Sequence, residues 1–280
     1  MALPVSPPRL PCDRAPVCED LAVPRQRTDK GSAGGRAQAV ARSIPGGRPV
    51  VTGIPAQLQG GTVVLTLDSA LEERTQPFQL FRGRDLLDDG QLVQLLATMP
   101  TADVAKIAVE DPKHEKQYRM NLVDLVVLEE DAPVFPRLPA IWRDLVEELR
   151  GAGFTSWLEK STGIELAGLK RSIGLYTHRN GDYLSVHKDK PTKAITVILY
   201  LNRDWPTEAG GQFQIFASPK AGPTEEISPV GGQLLAFPPT DKSWHAVSKI
   251  EHPEGTERIT VQIEYWLDTE LAGSAYRPQN

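Results

Sequence analysis

The sequence predicts a mainly β domain with flanking helices, closed as a sandwich or barrel. Three observations carry that reading. From Leu169 onward the chain breaks into seven short β-type runs, separated by clusters of Gly, Pro, Asn and Asp. Ahead of them, apolar residues recur at helical spacing. The composition, 40% apolar and 24% charged, is that of a soluble globular chain, and 280 residues suffice for one generous domain.

Residues 1–50 stand apart. They are rich in Pro, Gly, Ala and Arg, contain no aromatic residue, and carry more basic than acidic side chains while the remainder of the chain is acidic. Such a segment buries too little apolar surface to offset its ordering entropy, so it reads as a flexible extension. It lacks the apolar stretch of a secretory signal, and Asp13, Glu19, Asp20 and Asp29 argue against a transit peptide. The two cysteines, Cys12 and Cys18, both fall here. Two cysteines exclude a disulfide framework and a cysteine-based zinc site. As unpaired thiols they suit a reducing, cytoplasmic compartment.

Next come the elements of the main domain, residues 51–280. Thr62–Leu67 reads as a strand by its β-branched content. Asp85–Met99 carries Leu86, Leu87, Leu92, Leu95 and Leu96 and reads as a helix entered or interrupted at Gly90. A clearer helix begins at Pro139, repeats Ile141, Trp142, Leu145, Val146 and Leu149, and stops at Gly151. Phe154–Leu158 starts one more short helix. Residues 100–138 fit no element and are available as a lid. The expectation is therefore helical support over 51–168 and a β core over 169–268. The core strands are Ser172–Thr177, Tyr183–His187, Ala194–Leu201, Gln212–Phe216, Gln233–Phe237, Ala246–Ile250 and Glu257–Trp266. The glycine pairs 210–211 and 231–232 lack a phosphate-loop frame and read as strand turns. No run of about 18 apolar residues exists to span a membrane. No sustained basic stripe exists to hold nucleic acid.

The chemistry gathers on His187, Asp189 and His245. A histidine followed two places later by an acid also occurs at His252 and Glu254, so the pair alone selects nothing. His252 lies in a Pro/Gly turn with no later histidine to complete a metal site. His187 instead ends a β-type run, where residues i and i+2 share a face. His245 begins another. Two imidazoles and one carboxylate on one face of a metal form the facial triad of non-haem Fe(II) sites, although zinc accepts the same ligand types. Downstream, Arg258, Thr260, Gln262 and Glu264 alternate with Ile259, Val261, Ile263 and Tyr265. A polar face inside a small barrel is costly unless it has a ligand to satisfy it. A guanidinium there can clamp a carboxylate through two parallel hydrogen bonds. His178 and Asp182 are candidates to touch substrate, and Trp205 and Trp244 to line the pocket. His114, Lys188 and Lys190 read as solvent-facing.

Taken in order, YTHRNGDYLSVHKD (176–189), TVILYLNRDW (196–205), GGQF (210–213), GGQLLAF (231–237), SWHAV (243–247) and ERIT (257–260) resemble the Fe(II)/2-oxoglutarate-dependent oxygenases with a prolyl-hydroxylase-like core. The resemblance spans 173–266 and implies a double-stranded β-helix, the cupin-like jelly roll. It implies Fe(II) on His187, Asp189 and His245, with 2-oxoglutarate and O2 as co-substrates. Arg258 would bind the distal carboxylate of 2-oxoglutarate, assisted by Thr260 and Tyr176. The order of motifs is also similar to bacterial hydroxylases and non-haem halogenases of small metabolites. Halogenases have Gly or Ala at the carboxylate position, whereas this chain keeps Asp189, which favours oxygen transfer. The implied activity is hydroxylation of an unactivated C–H bond of a small-molecule substrate, an amino acid or derivative in a specialised biosynthetic pathway. Desaturation, cyclisation or epimerisation by the same class, a non-catalytic cupin-like metal module, a zinc hydrolase, and a prolyl hydroxylase of a protein substrate remain the alternatives.

Overall fold

The computed structural model describes residues 63–252 and 257–269. The extension read over residues 1–50, with both cysteines, lies outside them. The order of elements is β1 (Glu72–Arg74), β2 (Leu80–Gly83), α1 (Asp89–Ala97), β3 (Ala105–Val109), β4 (Tyr118–Val127), β5 (Glu130–Asp131), α2 (Ala140–Arg150), α3 (Ala152–Thr162), β6 (Lys170–His178), β7 (Tyr183–His187), β8 (Lys193–Tyr200), β9 (Phe213–Phe216), β10 (Pro223–Ile227), β11 (Leu234–Phe237), β12 (Trp244–Val247) and β13 (Arg258–Trp266). No helix among the described residues is long and apolar enough to cross a membrane.

All strands pair antiparallel in one curled sheet, in the order β1-β2-β11-β8-β13-β6-β4-β7-β12-β9-β10, with β3 and β5 also on β4. Strand β4 pairs with β6 over its C-terminal part and with β7 at its start, so it turns one wall of the roll into the other. The walls β11-β8-β13-β6 and β7-β12-β9-β10 enclose a small core in which Ile198, Tyr200, Leu235 and Phe237 meet Phe213, Ile215 and Ile227. This is a jelly roll.

Alternation along β13 sorts its side chains. Ile259, Val261, Ile263 and Tyr265 join the outer core with the helices, and Arg258, Thr260, Gln262 and Glu264 face inward. Strand β8 divides the same way, with Ile195, Val197 and Leu199 outward and Thr196, Ile198 and Tyr200 inward. The outer core is completed by α2, whose Trp142, Leu145, Val146 and Leu149 stripe is fully buried. The indole Nε1 of Trp142 donates to the Leu95 carbonyl at 3.0 Å, which ties α2 to α1. A capping box between Asp88 and Gln91 starts α1. Gly163, at φ 71°, ends α3.

Two sequence expectations are corrected. Residues 63–67 form no ladder. Glu148 of α2 accepts hydrogen bonds from the backbone N–H groups of Val64 and Leu65, and Thr66 N–H donates to Leu86, so this β-prone stretch is satisfied without a partner strand. The stretch 100–138, read as a lid, holds β3, β4 and β5 instead. Strand β4 alternates apolar and polar side chains only over Tyr118–Leu122; beyond that both faces are mostly buried, so the period-2 signal by which strands are recognised fades over its second half. The region before residue 169 therefore contributes strands to the roll as well as helical support.

Candidate active site

His187 closes β7 and His245 sits in β12, and the two are cross-strand partners. Their ring centroids are 4.2 Å apart. Asp189 follows two residues beyond the end of β7, with Oδ1 at 3.6 Å from Nε2 of His187. One ligand atom from each of the three residues lies within 4.8 Å of the others. Among the described residues this is the one such group of three, and His252 belongs to none.

The imidazoles are oriented by their backs. Nδ1 of His187 donates to the Ser185 carbonyl at 2.9 Å, and Nδ1 of His245 donates to the Ser243 carbonyl at 2.9 Å. A carbonyl only accepts, so the proton sits on Nδ1 in both rings and Nε2 keeps its lone pair. Phe213 stacks on His245 and Phe237 meets it edge-on. Burial, reinforced by Lys116 and His245, lowers the His187 pKa to about 3. Burial likewise lowers that of His245. Burial alone would raise Asp189, but the Lys193 ammonium and the His187 contact hold its carboxyl well below the usual range. The trio is thus one carboxylate and two neutral imidazoles, the donor set of a divalent metal.

The same cavity is lined by Lys116, His178, Leu184, Ile198 and Arg258. Arg258 is 1% exposed. Its Nε donates to the Gly211 carbonyl at 2.8 Å, which fixes the side chain by its middle. Gly211 has φ 73°, and a Cβ there would meet the Trp205 ring at 3.0 Å, so glycine suits this turn. Both terminal nitrogens of Arg258 are buried without a hydrogen-bond partner, as are the Thr260 and Tyr200 hydroxyls and both ring nitrogens of His178. His178 and Thr260 border Arg258 through the sheet register, and the guanidinium lies 5.2 Å from the Tyr200 ring centroid. Burial and the Arg258 charge push His178 well below its ordinary pKa. Orphaned buried donors are costly in an empty fold. A carboxylate accepting from them removes that cost, so the residues present fit one end of a dicarboxylate.

The other sequence candidates take different positions. Tyr176 is the register partner of Thr260 and shares its inward face, where it packs with Ile107, Tyr118, Met120 and Leu122. Asp182 caps its own loop by accepting from Arg179 N–H and from Arg119. Trp205 packs on Ala209 and Ile250. The Lys188 ammonium lies over Trp244, near Asp241. His114 is exposed. Sequence reasoning missed Lys116, Lys193, Thr196 and Tyr200. Thr196 and Tyr200 were within its reach, since period-2 alternation in β8 puts them on the face of Ile198.

The buried neutral histidines set a pH dependence for the metal-free protein. A histidine that stays neutral in the fold stabilises it fully above the unfolded pKa, and that contribution is lost as pH falls from there toward the folded value. Chelator-treated protein is expected to lose at most about 1.4 kcal/mol per pH unit for each of His178, His187 and His245 below about pH 6.5. Urea unfolding at neutral and mildly acidic pH measures it. An unchanged free energy would mean that these rings protonate within the fold.

Residues 173–267 match the family model described as the 2OG-Fe(II) oxygenase superfamily. No curated protein sequence matches the chain. A prolyl hydroxylase from Trichoplax adhaerens, solved with a hypoxia inducible factor peptide fragment, is 15% identical, with 71% of this chain and 87% of that one covered at a TM-score of 0.52. It shares the fold. A Pseudomonas putida prolyl-4-hydroxylase is 18% identical, covering 68% and 92% at a TM-score of 0.44. An oxidoreductase of the 2OG-Fe(II) oxygenase family from Burkholderia pseudomallei is 15% identical, covering 65% and 81% at 0.47. The matched residues span β6 to β13, so this part of the jelly roll is that of a 2OG-Fe(II) oxygenase, a class that depends on Fe(II), 2-oxoglutarate and O2.

Proposed function

We propose that the protein hydroxylates an unactivated C–H bond of a small amino-acid-like metabolite, with Fe(II) held by His187, Asp189 and His245. The observation that carries this reading is the buried, unpartnered guanidinium end of Arg258 on the wall of the cavity that holds the trio. A zinc hydrolase or a bare metal module has no use for such a group. A keto-diacid that reaches from the metal to an arginine does.

The residues divide the work. Nε2 of each histidine and Oδ1 of Asp189 would hold the metal. Arg258, with Thr260 and Tyr200, would grip the distal carboxylate, and His178 adds a neutral donor beside them. Tyr176, on the same face as Thr260, would assist them at the co-substrate. Ile198, Phe213, Phe237 and Val247 line the rest of the cavity and exclude water from the reacting atoms. Burial lowers the Lys116 pKa to about 8, and its side chain, delivered by the β3–β4 connection, suits a substrate that carries a carboxylate. When bound, iron with 2-oxoglutarate and O2 supplies the oxidising chemistry, with succinate and carbon dioxide as co-products.

The test is incubation with Fe(II), 2-oxoglutarate and a panel of free amino acids, with a proline-containing peptide as the competing substrate. Succinate and product mass are read together. A gain of one oxygen atom supports hydroxylation, whereas loss of two hydrogens indicates desaturation or cyclisation. Absence of any iron-dependent succinate would overturn the oxygenase assignment of these residues. Turnover of the peptide alone would overturn the small-substrate reading.

A further inference from the structure

We infer that a buried brace formed by Thr196, Lys193 and Glu264 holds Asp189 as a one-oxygen ligand. This rests on the proposed role of Asp189 in holding the metal. The two oxygens of its carboxylate are not equivalent. Oδ1 faces the histidines. Oδ2 accepts a 2.6 Å hydrogen bond from the Thr196 hydroxyl and lies 3.5 Å from the Lys193 ammonium. Lys193 is itself held, since its Nζ donates to Oε1 of Glu264 at 2.5 Å and lies 5.3 Å from the Trp266 ring centroid. The Lys193 and Glu264 side chains are 3% and 6% exposed.

The arrangement has a coordination consequence. A carboxylate can offer a metal one oxygen or two. If Oδ2 swung onto the metal, it would take a position that a chelating keto acid or dioxygen needs. Swinging would also strip Thr196 and Lys193 of a buried acceptor, which the interior penalises. Glu264 closes the arrangement by keeping the ammonium in place. Because β8 and β13 are register partners, with Thr196 opposite Glu264, the sheet itself sets the spacing. These are positioning residues, and none of them needs to touch substrate.

The decisive variant is the double substitution Lys193→Met with Glu264→Gln, which removes the ammonium together with the Glu264 carboxylate it pairs with and leaves Asp189 its Thr196 and His187 contacts. Thr196→Val removes the hydroxyl contact alone, and Lys193→Arg keeps a cation. The readouts are Co(II) titration of chelator-treated protein and the visible absorption of the Fe(II) form on adding 2-oxoglutarate without substrate. The double variant should still bind one metal per chain, with affinity weakened on the order of tenfold to a hundredfold. Its absorption should need more 2-oxoglutarate to saturate. Thr196→Val should move both readouts in the same direction, and Lys193→Arg should restore them. Wild-type metal affinity and 2-oxoglutarate saturation in the double and Thr196→Val variants would overturn the brace. Failure of the unaltered protein to bind metal at one per chain, or binding insensitive to His187→Ala, would instead overturn the metal assignment beneath it.

Discussion

Asp189→Ala is expected to abolish 2-oxoglutarate-coupled oxidation while the protein stays folded. The carboxylate is the one anionic member of the trio, and its charge is what would offset that of a divalent metal beside two neutral imidazoles. Without it the metal loses a ligand and the electrostatic part of its attraction together. Turnover should fall by at least about a thousandfold, equivalent to about 4 kcal/mol of activation free energy. The fold should survive because Lys193 keeps Glu264 as its partner and is not left as an uncompensated buried ion. Succinate formation and metal titration, with circular dichroism to establish folding, measure the three parts. A folded variant that retains turnover would remove Asp189 from the metal site.

Arg258→Lys and Arg258→Met test the opposite end of the cavity. Truncating a buried charged partner typically costs 2–5 kcal/mol, so the 2-oxoglutarate requirement of Arg258→Met should rise roughly thirtyfold or more. Lysine should not rescue it fully. An ammonium cannot donate from Nε to the Gly211 carbonyl and from two further nitrogens to a carboxylate in one plane. The same Arg258→Met change should leave the unliganded protein as stable or more so, because it removes a buried guanidinium whose terminal nitrogens have no partner. Opposite signs on stability and co-substrate affinity are the signature of a binding group rather than a packing group. An unchanged 2-oxoglutarate dependence would sink the assignment.

Much of the β core was legible because its signals are local. The run Tyr183–His187 is the observed β7 residue for residue, and the other six predicted strands recur within one to three residues at their ends. The polar face of β13 was read from alternation alone, and the structure turns that face inward. Where alternation failed, so did the reading. Strand β4, mostly buried on both faces beyond Leu122, kept its period over only half its length, and β10, mostly exposed, offered little apolar content. The stretch read as a strand over Thr62–Leu67 misled in the other direction, since its β propensity is real but the hydrogen-bond partners of residues 64–66 are Glu148 and Leu86.

By itself the sequence determined that His187 and Asp189 project together, that a later β-type run supplies His245, and that Arg258 heads a strand with one polar face. For β13 this follows from the two-residue repeat of an extended backbone, which needs no partner to be read; for Asp189 the repeat was carried past the end of β7. Only the tertiary structure decided that Oδ2 of Asp189 meets Lys193 and Thr196, that Arg258 is held by Gly211, and that Lys116 reaches the cavity from the β3–β4 connection. Such contacts depend on which remote strands pair and in what register. A one-residue slip would send every side chain concerned to the opposite face.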